Sequence, residues 1–252
     1  MKIKFILYCT FIMAVLSFTS PSKKKIWLIG DSTISIKEVK AYPETGWGMP
    51  FAGFFDSTII VDNRAKNGRS TRTFLSEGLW TPVVDNLREG DYVLIQFGHN
   101  DEVKQKVERY TTVEEYKANL TKFVTDTRAK KGIPVLLTPV ARRSFDANGM
   151  VKESHPLYSD AVIEVAKQLN VPYIDLDAKS KELYQKFGPE NSKLLFNNLE
   201  PGEHPNYPLG QSENTHFNEL GARKIAEIVL AEIKKLNIGL TEHVHAGLPV
   251  KK

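Results

Sequence analysis

The chain is almost devoid of cysteine: Cys9 is the only one among its 252 residues. It lies inside an apolar stretch near the N-terminus, directly after the bulky Tyr8, and this setting argues against a lipid-attachment site. Because the rest of the chain has no cysteine, a domain built from it has no disulfide and must be stabilised by its hydrophobic core.

A strong charge of one sign is also missing. The formal net charge is +4 at pH 7, and it falls to +2 without Lys2 and Lys4. A balance this small predicts no nucleic-acid partner, and the sequence contains no helix-turn-helix, zinc-finger or RNA-binding signature. With 41% hydrophobic and 25% charged residues, the composition is typical of one globular domain.

Long apolar runs are absent except for residues 5–18, which follow Lys2 and Lys4 and precede small polar residues. A basic start, a short apolar segment and a small-residue exit are typical of a secretory signal peptide. The stretch is short for a transmembrane helix, although an uncleaved anchor remains the alternative. We therefore predict a signal peptide over residues 1–20, a single domain over 24–240, a peripheral tail over 241–252, and secretion or periplasmic export.

Beyond residue 25 the sequence alternates short apolar segments with longer amphipathic ones. The predicted strands are residues 26–29, 58–61, 92–97, 135–138 and 173–176. Helices are predicted to begin at the capping box of Thr112 and Glu115, at Pro156 and at Asn218. This alternation indicates an α/β fold with a doubly wound parallel sheet. Residues 188–210, rich in Pro, Gly and Asn, are predicted to form one long loop.

Polar residues suited to catalysis follow three of these strands and precede the last helix. They occur in the segments Gly30-Asp31-Ser32, Asn67-Gly68-Arg69, Gly98-His99-Asn100 and Glu213-Asn214-Thr215-His216. In a doubly wound sheet, ligands bind at the carboxyl ends of the strands, so we expect these segments to meet at one edge.

Together these residues supply the roles that acyl transfer requires. Ser32 is the candidate nucleophile, His216 the candidate base, and Glu213 the carboxylate that orients the imidazole. The backbone N–H groups of Ser32 and Gly68, with the side-chain amide of Asn100, are the candidate oxyanion donors.

Other interpretations of these positions stay open at this point. Ser32 could cap a helix, and Asp175 or Asp177 could replace Glu213 as the partner of the histidine. The rival bases are His99, His155 and His204. His243 and His245 have the spacing of a metal-ligand pair on a strand, but two histidines in a tail do not make a site, and we predict neither a metal nor another cofactor.

Candidate substrate-binding residues are Asp31, Trp47, Arg69 and His99. Asp31 could instead shape its turn, Trp47 could pack beneath the site, and His99 could satisfy its loop. Arginines near the strand ends could pair with sugar carboxylates, because the guanidinium matches a carboxylate in shape. These arginines are Arg69, Arg72, Arg142 and Arg143.

The blocks carrying these residues resemble those of the SGNH hydrolase, or GDSL esterase, superfamily. The exact residues of five motifs are similar to those of its rhamnogalacturonan acetylesterase branch. These motifs are Gly30-Asp31-Ser32-Thr33, Gly46-Trp47-Gly48, Asn67-Gly68-Arg69-Ser70, Phe97-Gly98-His99-Asn100-Asp101 and Thr215-His216.

This resemblance implies a three-layer, flavodoxin-like fold with strand order 2-1-3-4-5 and helices on both faces of the sheet. It also implies Ser32, Gly68, Asn100 and His216 as the signature residues, with a carboxylate three positions before the histidine. The family pattern has Asp at that position, whereas this chain has Glu213.

The resulting prediction is an exported bacterial serine esterase that removes O-acetyl groups from plant polysaccharide, most simply pectic rhamnogalacturonan. The alternatives are an esterase acting on acetylxylan, a lipid or a thioester, and a non-catalytic glycan-binding protein. The predicted partner is an acetylated polysaccharide or oligosaccharide, with no nucleic acid and no membrane contact beyond the signal peptide. The oligomeric state is left open.

Overall fold

A computed structural model describes residues 23–245 of the chain. The predicted signal peptide over residues 1–20 lies outside the described residues, as do residues 246–252 of the predicted tail. Among residues 23–245, no helix combines the length and the apolar character needed to cross a lipid bilayer.

The centre of the fold is a parallel sheet of five strands in the order β2-β1-β3-β4-β5. The strands are β1 (Lys24–Gly30), β2 (Ile59–Asn63), β3 (Tyr92–Gln96), β4 (Ile133–Leu137) and β5 (Tyr173–Ile174). All four neighbouring pairs run parallel. The predicted doubly wound sheet and its strand order are thereby confirmed.

Seven α-helices lie among the described residues. They are α1 (Gly48–Phe51), α2 (Thr71–Ser76), α3 (Thr81–Asn86), α4 (Val113–Ala129), α5 (Pro156–Gln168), α6 (Leu176–Asn191) and α7 (Glu219–Leu236). The predicted starts hold: Thr112 and Glu115 form a capping box before α4, and the Asn218 side chain accepts a hydrogen bond from the Gly221 N–H at the start of α7.

Helices cover both faces of the sheet, and the alternation of side chains along β1 shows how. Ile26 and Leu28 belong to one apolar cluster, which also holds buried residues of α1 and α7. Trp27 and Ile29 belong to the other cluster, with buried residues of α4 and α5. Because successive side chains of a strand point to opposite faces, all four residues from 26 to 29 contribute to a core.

The prediction of one long loop over residues 188–210 is wrong in its first part. Helix α6 continues to Asn191 across a kink at Gly188, and a 3-10 turn follows at Ser192–Leu195. The buried side of α6 includes Asp177 and Ser180 beside Tyr184, so it has no clean apolar periodicity. The irregular segment therefore begins at residue 196.

The described part of the tail packs against the domain. Val244 forms an antiparallel bridge with Phe55, and His243 Nδ1 lies 2.7 Å from Thr58 Oγ1. These contacts are at the edge of the sheet beside β2 and far along the chain from the candidate catalytic segments.

Candidate active site

The nucleophile candidate lies in a tight turn after β1. A side chain at Gly30 would be forced against the carbonyl oxygen of Gln96, because its Cβ would lie 2.3 Å from that atom. Asp31 Oδ1 accepts hydrogen bonds from the backbone N–H of Thr33 at 2.9 Å and from its hydroxyl at 2.8 Å. This side-chain turn directs Ser32 into a cleft.

Ser32 and His216 meet in that cleft although they are 184 residues apart. Ser32 Oγ lies 3.0 Å from His216 Nε2, and His216 Nδ1 lies 3.2 Å from Glu213 Oε2. When the carboxylate accepts the proton of Nδ1, Nε2 is free to accept the proton of the serine hydroxyl. This is the geometry that a nucleophile, a base and an orienting carboxylate require.

The carboxylate is held in its ionised form. Burial alone would raise the pKa of Glu213, but the hydrogen bond and charge of His216, with the N–H groups of Thr215 and Asn214, lower it to about 2. Both rival carboxylates are engaged elsewhere: Asp175 caps α6, and Asp177 pairs with Lys181 at 2.7 Å. Glu213 is therefore the carboxylate that the structure places on the imidazole.

The three candidate oxyanion donors lie together in the cleft. The backbone N–H groups of Ser32 and Gly68 have no hydrogen-bond partner among residues 23–245. Gly68 has a φ of 74°, a conformation that favours glycine. Asn100 Nδ2 donates one hydrogen bond to the Arg69 carbonyl at 3.0 Å, which leaves its second hydrogen available. All three residues line the cleft beside His216. The cleft has a volume of about 530 Å³.

Lys37 is a buried cation beside the nucleophile that sequence reasoning missed. Its side chain is 0% exposed, and Nζ donates to the Ser32 carbonyl at 2.6 Å, to Asn67 Oδ1 at 2.9 Å and to Glu44 at 2.7 Å. Burial lowers the pKa of Lys37, whereas the contact with Glu44 raises it. The ammonium thus joins the turn of Ser32 to the turn that carries Gly68.

Two of the predicted substrate-binding residues are beneath the cleft, and this corrects the prediction. Asp31 and Trp47 are both 0% exposed, and Trp47 Nε1 donates to Gln96 Oε1 at 2.8 Å. The prediction for Arg69 is also wrong: its guanidinium pairs with Glu77 at 2.9 Å, and the residue does not line the cleft. Of this predicted set, only His99 lines the cleft, and its Nε2 contacts the Val140 carbonyl at 2.9 Å.

Of the other three predicted arginines, one lines the cleft and two do not. Arg142 lines the cleft, donating to Thr215 Oγ1 at 2.8 Å and to Glu102 Oε1 at 3.2 Å. Arg72 pairs with Glu115 outside the cleft, and Arg143 donates to Asn214 at 2.7 Å.

Sequence reasoning missed two further cations of the cleft lining, Lys106 and Arg109. They lie in an irregular segment with no recognisable motif, and no signal in the sequence marks them. The Lys106 ammonium has no hydrogen-bond partner among the described residues.

The remaining candidates do not join the cleft. His155 is buried with Nδ1 2.8 Å from Glu102 Oε2, and His204 packs beside Tyr207. Within residues 23–245, no group of three His, Cys, Asp or Glu side chains is arranged to hold a metal ion. The absence of a cofactor stays a prediction.

A doubly wound sheet with a serine, a histidine and a carboxylate meeting beyond its strand ends defines a serine hydrolase of the α/β class. Residues 28–224 match the model of the GDSL-like Lipase/Acylhydrolase family, so the chain belongs to this family. The resemblance seen in the sequence motifs is thereby confirmed.

Named relatives narrow the comparison. The chain is 43% identical over 220 residues to the rhamnogalacturonan acetylesterase RhgT of Bacillus subtilis, covering 87% of this chain and 94% of that protein. It is 35% identical over 224 residues to the probable rhamnogalacturonan acetylesterase YesY of the same organism, covering 87% and 96%.

Solved structures share the fold at lower identity. The protein YXIM of Bacillus subtilis superposes with a TM-score of 0.74 at 24% identity, covering 86% of this chain and 58% of that one. The acetylxylan esterase Axe2 of Geobacillus stearothermophilus superposes with a TM-score of 0.59 at 18% identity, covering 84% and 94%.

Proposed function

We propose that the protein is a serine carbohydrate O-acetylesterase that removes acetyl groups from pectic rhamnogalacturonan. The observation that carries the proposal is the contact of Ser32 Oγ with His216 Nε2 at 3.0 Å, backed by Glu213. Two relatives that match most of the chain are named a rhamnogalacturonan acetylesterase and a probable one, and this supports the substrate.

The catalytic cycle follows from the positions of these atoms. Ser32 Oγ attacks the carbonyl carbon of the acetyl ester while His216 Nε2 takes its proton. The negative oxygen of the tetrahedral intermediate accepts hydrogen bonds from the N–H groups of Ser32 and Gly68 and from Asn100 Nδ2. The intermediate breaks the bond to the sugar oxygen, which receives the proton from His216. Water, deprotonated by the same imidazole, then attacks the acetyl-serine and releases acetate and the free hydroxyl of Ser32.

The lining of the cleft supports a small acyl group on an acidic sugar. Val103 is the single apolar side chain of a lining that is otherwise polar or charged, so a long fatty acyl chain would find little apolar surface. Lys106, Arg109 and Arg142 bring three positive charges to this lining, against the one carboxylate of Glu44. Pectic backbones carry uronate carboxylates, which such a lining attracts.

A substrate panel tests the proposal. Acetate release is measured from acetylated rhamnogalacturonan, from acetylated xylan and from aryl esters of increasing acyl length, with Ser32→Ala assayed beside the native protein. We expect the rhamnogalacturonan to react fastest, acetate to be the preferred acyl group, and Ser32→Ala to be inactive. Faster reaction on xylan would reject the substrate, and an active Ser32→Ala variant would reject the nucleophile.

We also propose that the protein is exported, on the basis of the predicted signal peptide over residues 1–20. Expression of the full chain in a bacterium, with N-terminal sequencing of the protein outside the cytoplasm, is the direct test. The expected mature chain begins close to residue 21. A chain retained in the cytoplasm with Met1 intact would contradict export.

A further inference from the structure

The segment between β3 and α4 returns to the active site at Arg109. The Arg109 guanidinium donates from NH1 to Asn100 Oδ1 at 3.1 Å. The same nitrogen lies over Gly68, where a Cβ would approach it to 3.4 Å. One guanidinium nitrogen thus binds Asn100 and lies close to Gly68, two of the three candidate oxyanion donors.

The contacts of Asn100 determine which way its amide points. Oδ1 accepts the hydrogen bond from Arg109, and one hydrogen of Nδ2 is donated to the Arg69 carbonyl at 3.0 Å. A flipped amide would set Nδ2 against the guanidinium and Oδ1 against a carbonyl, so both contacts would become repulsive. The second Nδ2 hydrogen is therefore held in one direction, in a residue that lines the cleft.

Arg109 lies in a segment whose last residues are hydrogen-bonded to its first. The Arg109 N–H donates to the Lys106 carbonyl at 2.9 Å, and the Thr111 N–H donates to the Asp101 carbonyl at 2.9 Å. Tyr158 Oη donates to the Thr111 carbonyl at 2.5 Å and so ties the segment to α5. The backbone that carries Arg109 is therefore held by contacts that begin one residue after Asn100.

We propose that Arg109 is a positioning residue of the oxyanion hole, holding Asn100 so that its free N–H meets the developing negative oxygen. This inference rests on the proposed ester hydrolysis at Ser32. A hydrogen bond from a cation to the amide oxygen also draws electron density from the amide and strengthens the opposite N–H as a donor. Arg109 acts through Asn100 and takes no proton from the substrate.

A double-mutant cycle on a neutral aryl acetate tests this coupling. We expect Asn100→Ala to lower kcat on the order of 10²-fold, as for loss of one oxyanion donor. Arg109→Ala is expected to lower kcat about 10-fold with little change in KM, since the donor remains but loses one of its anchors. In the double variant, kcat should be no lower than in Asn100→Ala alone. Arg109→Lys should recover part of the loss, because an ammonium donates a hydrogen bond without the planar fork.

Arg72→Ala is the matched control, because Arg72 pairs with Glu115 at 2.9 Å outside the cleft. This control should keep the native kcat, and thermal unfolding should show that each variant is folded. If the losses of Arg109→Ala and Asn100→Ala multiply in the double variant, the positioning role is rejected. A loss confined to KM on the acidic polymer would also reject it and make Arg109 a substrate-binding residue.

These results are separate from the fate of the proposed function. Ester hydrolysis that depends on Ser32, together with multiplying losses, would reject the role of Arg109 and leave the esterase in place. Native protein without ester hydrolysis would reject both.

Discussion

The two walls of the cleft are built in different ways. Ser32, Gly68 and Asn100 follow the strands β1, β2 and β3 within a few residues, and they form what we call the strand wall. Glu213 and His216 lie in the irregular segment between the 3-10 turn at Ser192–Leu195 and α7, and they form the loop wall. The first depends on the sheet, and the second depends on contacts within one segment.

Buried charges hold the strand wall. Lys37 joins the Ser32 turn to Asn67, and Asp101 Oδ1 accepts hydrogen bonds from the N–H of Thr71 at 2.9 Å and from its hydroxyl at 2.5 Å. Burial raises the pKa of Asp101 to about 7, against the opposing hydrogen bonds of Thr71. Groups of this kind contribute to both stability and geometry, so changes here should affect both.

Hydrogen bonds within residues 196–217 hold the loop wall, together with the guanidinium groups of Arg142 and Arg143. Asn198 Oδ1 accepts from the Glu213 N–H at 3.0 Å, and Asn198 Nδ2 donates to the Glu213 carbonyl at 2.9 Å. Phe196 and Phe217 form an antiparallel bridge, and the Asn197 N–H donates to the His216 carbonyl at 3.0 Å. Most of these contacts lie within residues 196–217, in contrast to the long-range contacts of the strand wall.

The largest expected effect is on the loop wall. Glu213→Gln should lower kcat by about 10²- to 10⁴-fold, because an amide can donate to Nδ1 and stabilise the wrong tautomer of His216. Aryl acetate hydrolysis measures the loss, and thermal unfolding measures the stability that the ionised carboxylate contributes. Glu213→Asp is the matched control and should keep most of the activity, since a carboxylate remains. A fully active Glu213→Gln variant would remove the carboxylate from the mechanism.

On the strand wall, Lys37→Met should lower both activity and stability. The isosteric change leaves Glu44 and the Ser32 carbonyl without their cation, at a cost of about 3 kcal/mol in the free energy of unfolding. The disturbed Ser32 and Gly68 donors should lower kcat on the order of 10²-fold. Urea unfolding and aryl acetate kinetics give the two numbers. A variant that loses activity but keeps native stability would contradict the structural role given to Lys37.

The two walls should also differ in the pH dependence of stability. The pKa of Asp101 rises from 3.8 to about 7 on folding, so the native state holds a proton that the unfolded chain releases. Its contribution is complete below pH 3.8 and is lost as the pH rises towards 7. The pKa of Glu213 falls from 4.5 to about 2, so its contribution is present above pH 4.5 and is lost as the pH falls towards 2.

Urea unfolding across the pH range checks this opposition. Asp101→Asn mimics the protonated carboxyl and should flatten the loss of stability between pH 4 and pH 7. Glu213→Gln should flatten the loss below pH 4.5. The same pH dependence in both variants as in the native protein would show that other groups dominate.

The smallest expected effect concerns the rim of the cleft. Lys106→Ala should raise KM for an acidic acetylated polymer a few-fold and leave aryl acetate hydrolysis unchanged, because an exposed ion pair contributes about 1 kcal/mol or less. Arg69→Ala is the matched control. Its guanidinium already pairs with Glu77, so we expect KM to stay unchanged for both substrates. Equal KM changes for the two variants would contradict this division of the cations.

Much of this arrangement follows from sequence patterns. The strand order and the meeting of Ser32 with His216 depend on features that recur in the family, namely apolar segments that end in glycine turns and a short motif before the last helix. Asn218 was predictable as the cap of α7 because capping depends on nearby residues alone.

The residues that could not be predicted act over long range in three dimensions. Lys37 and Arg109 contact Ser32 and Asn100 from irregular segments, and no local pattern marks a charged side chain that will be enclosed. Trp47 belongs to a recognisable motif that left both packing and sugar contact open, and tertiary contacts such as its hydrogen bond to Gln96 decide for burial. A motif thus locates a residue near the site without telling on which side of the backbone its side chain lies.

Arg142 connects the two walls, because its guanidinium reaches Thr215 next to the base and Glu102 two residues after Asn100. A guanidinium is planar and stiff, so the walls cannot separate without breaking one of these hydrogen bonds. The width of the catalytic gap is therefore set before any substrate arrives. Under the proposed function, such an enzyme need not close over its substrate to become active, which suits a polysaccharide too long to be enclosed.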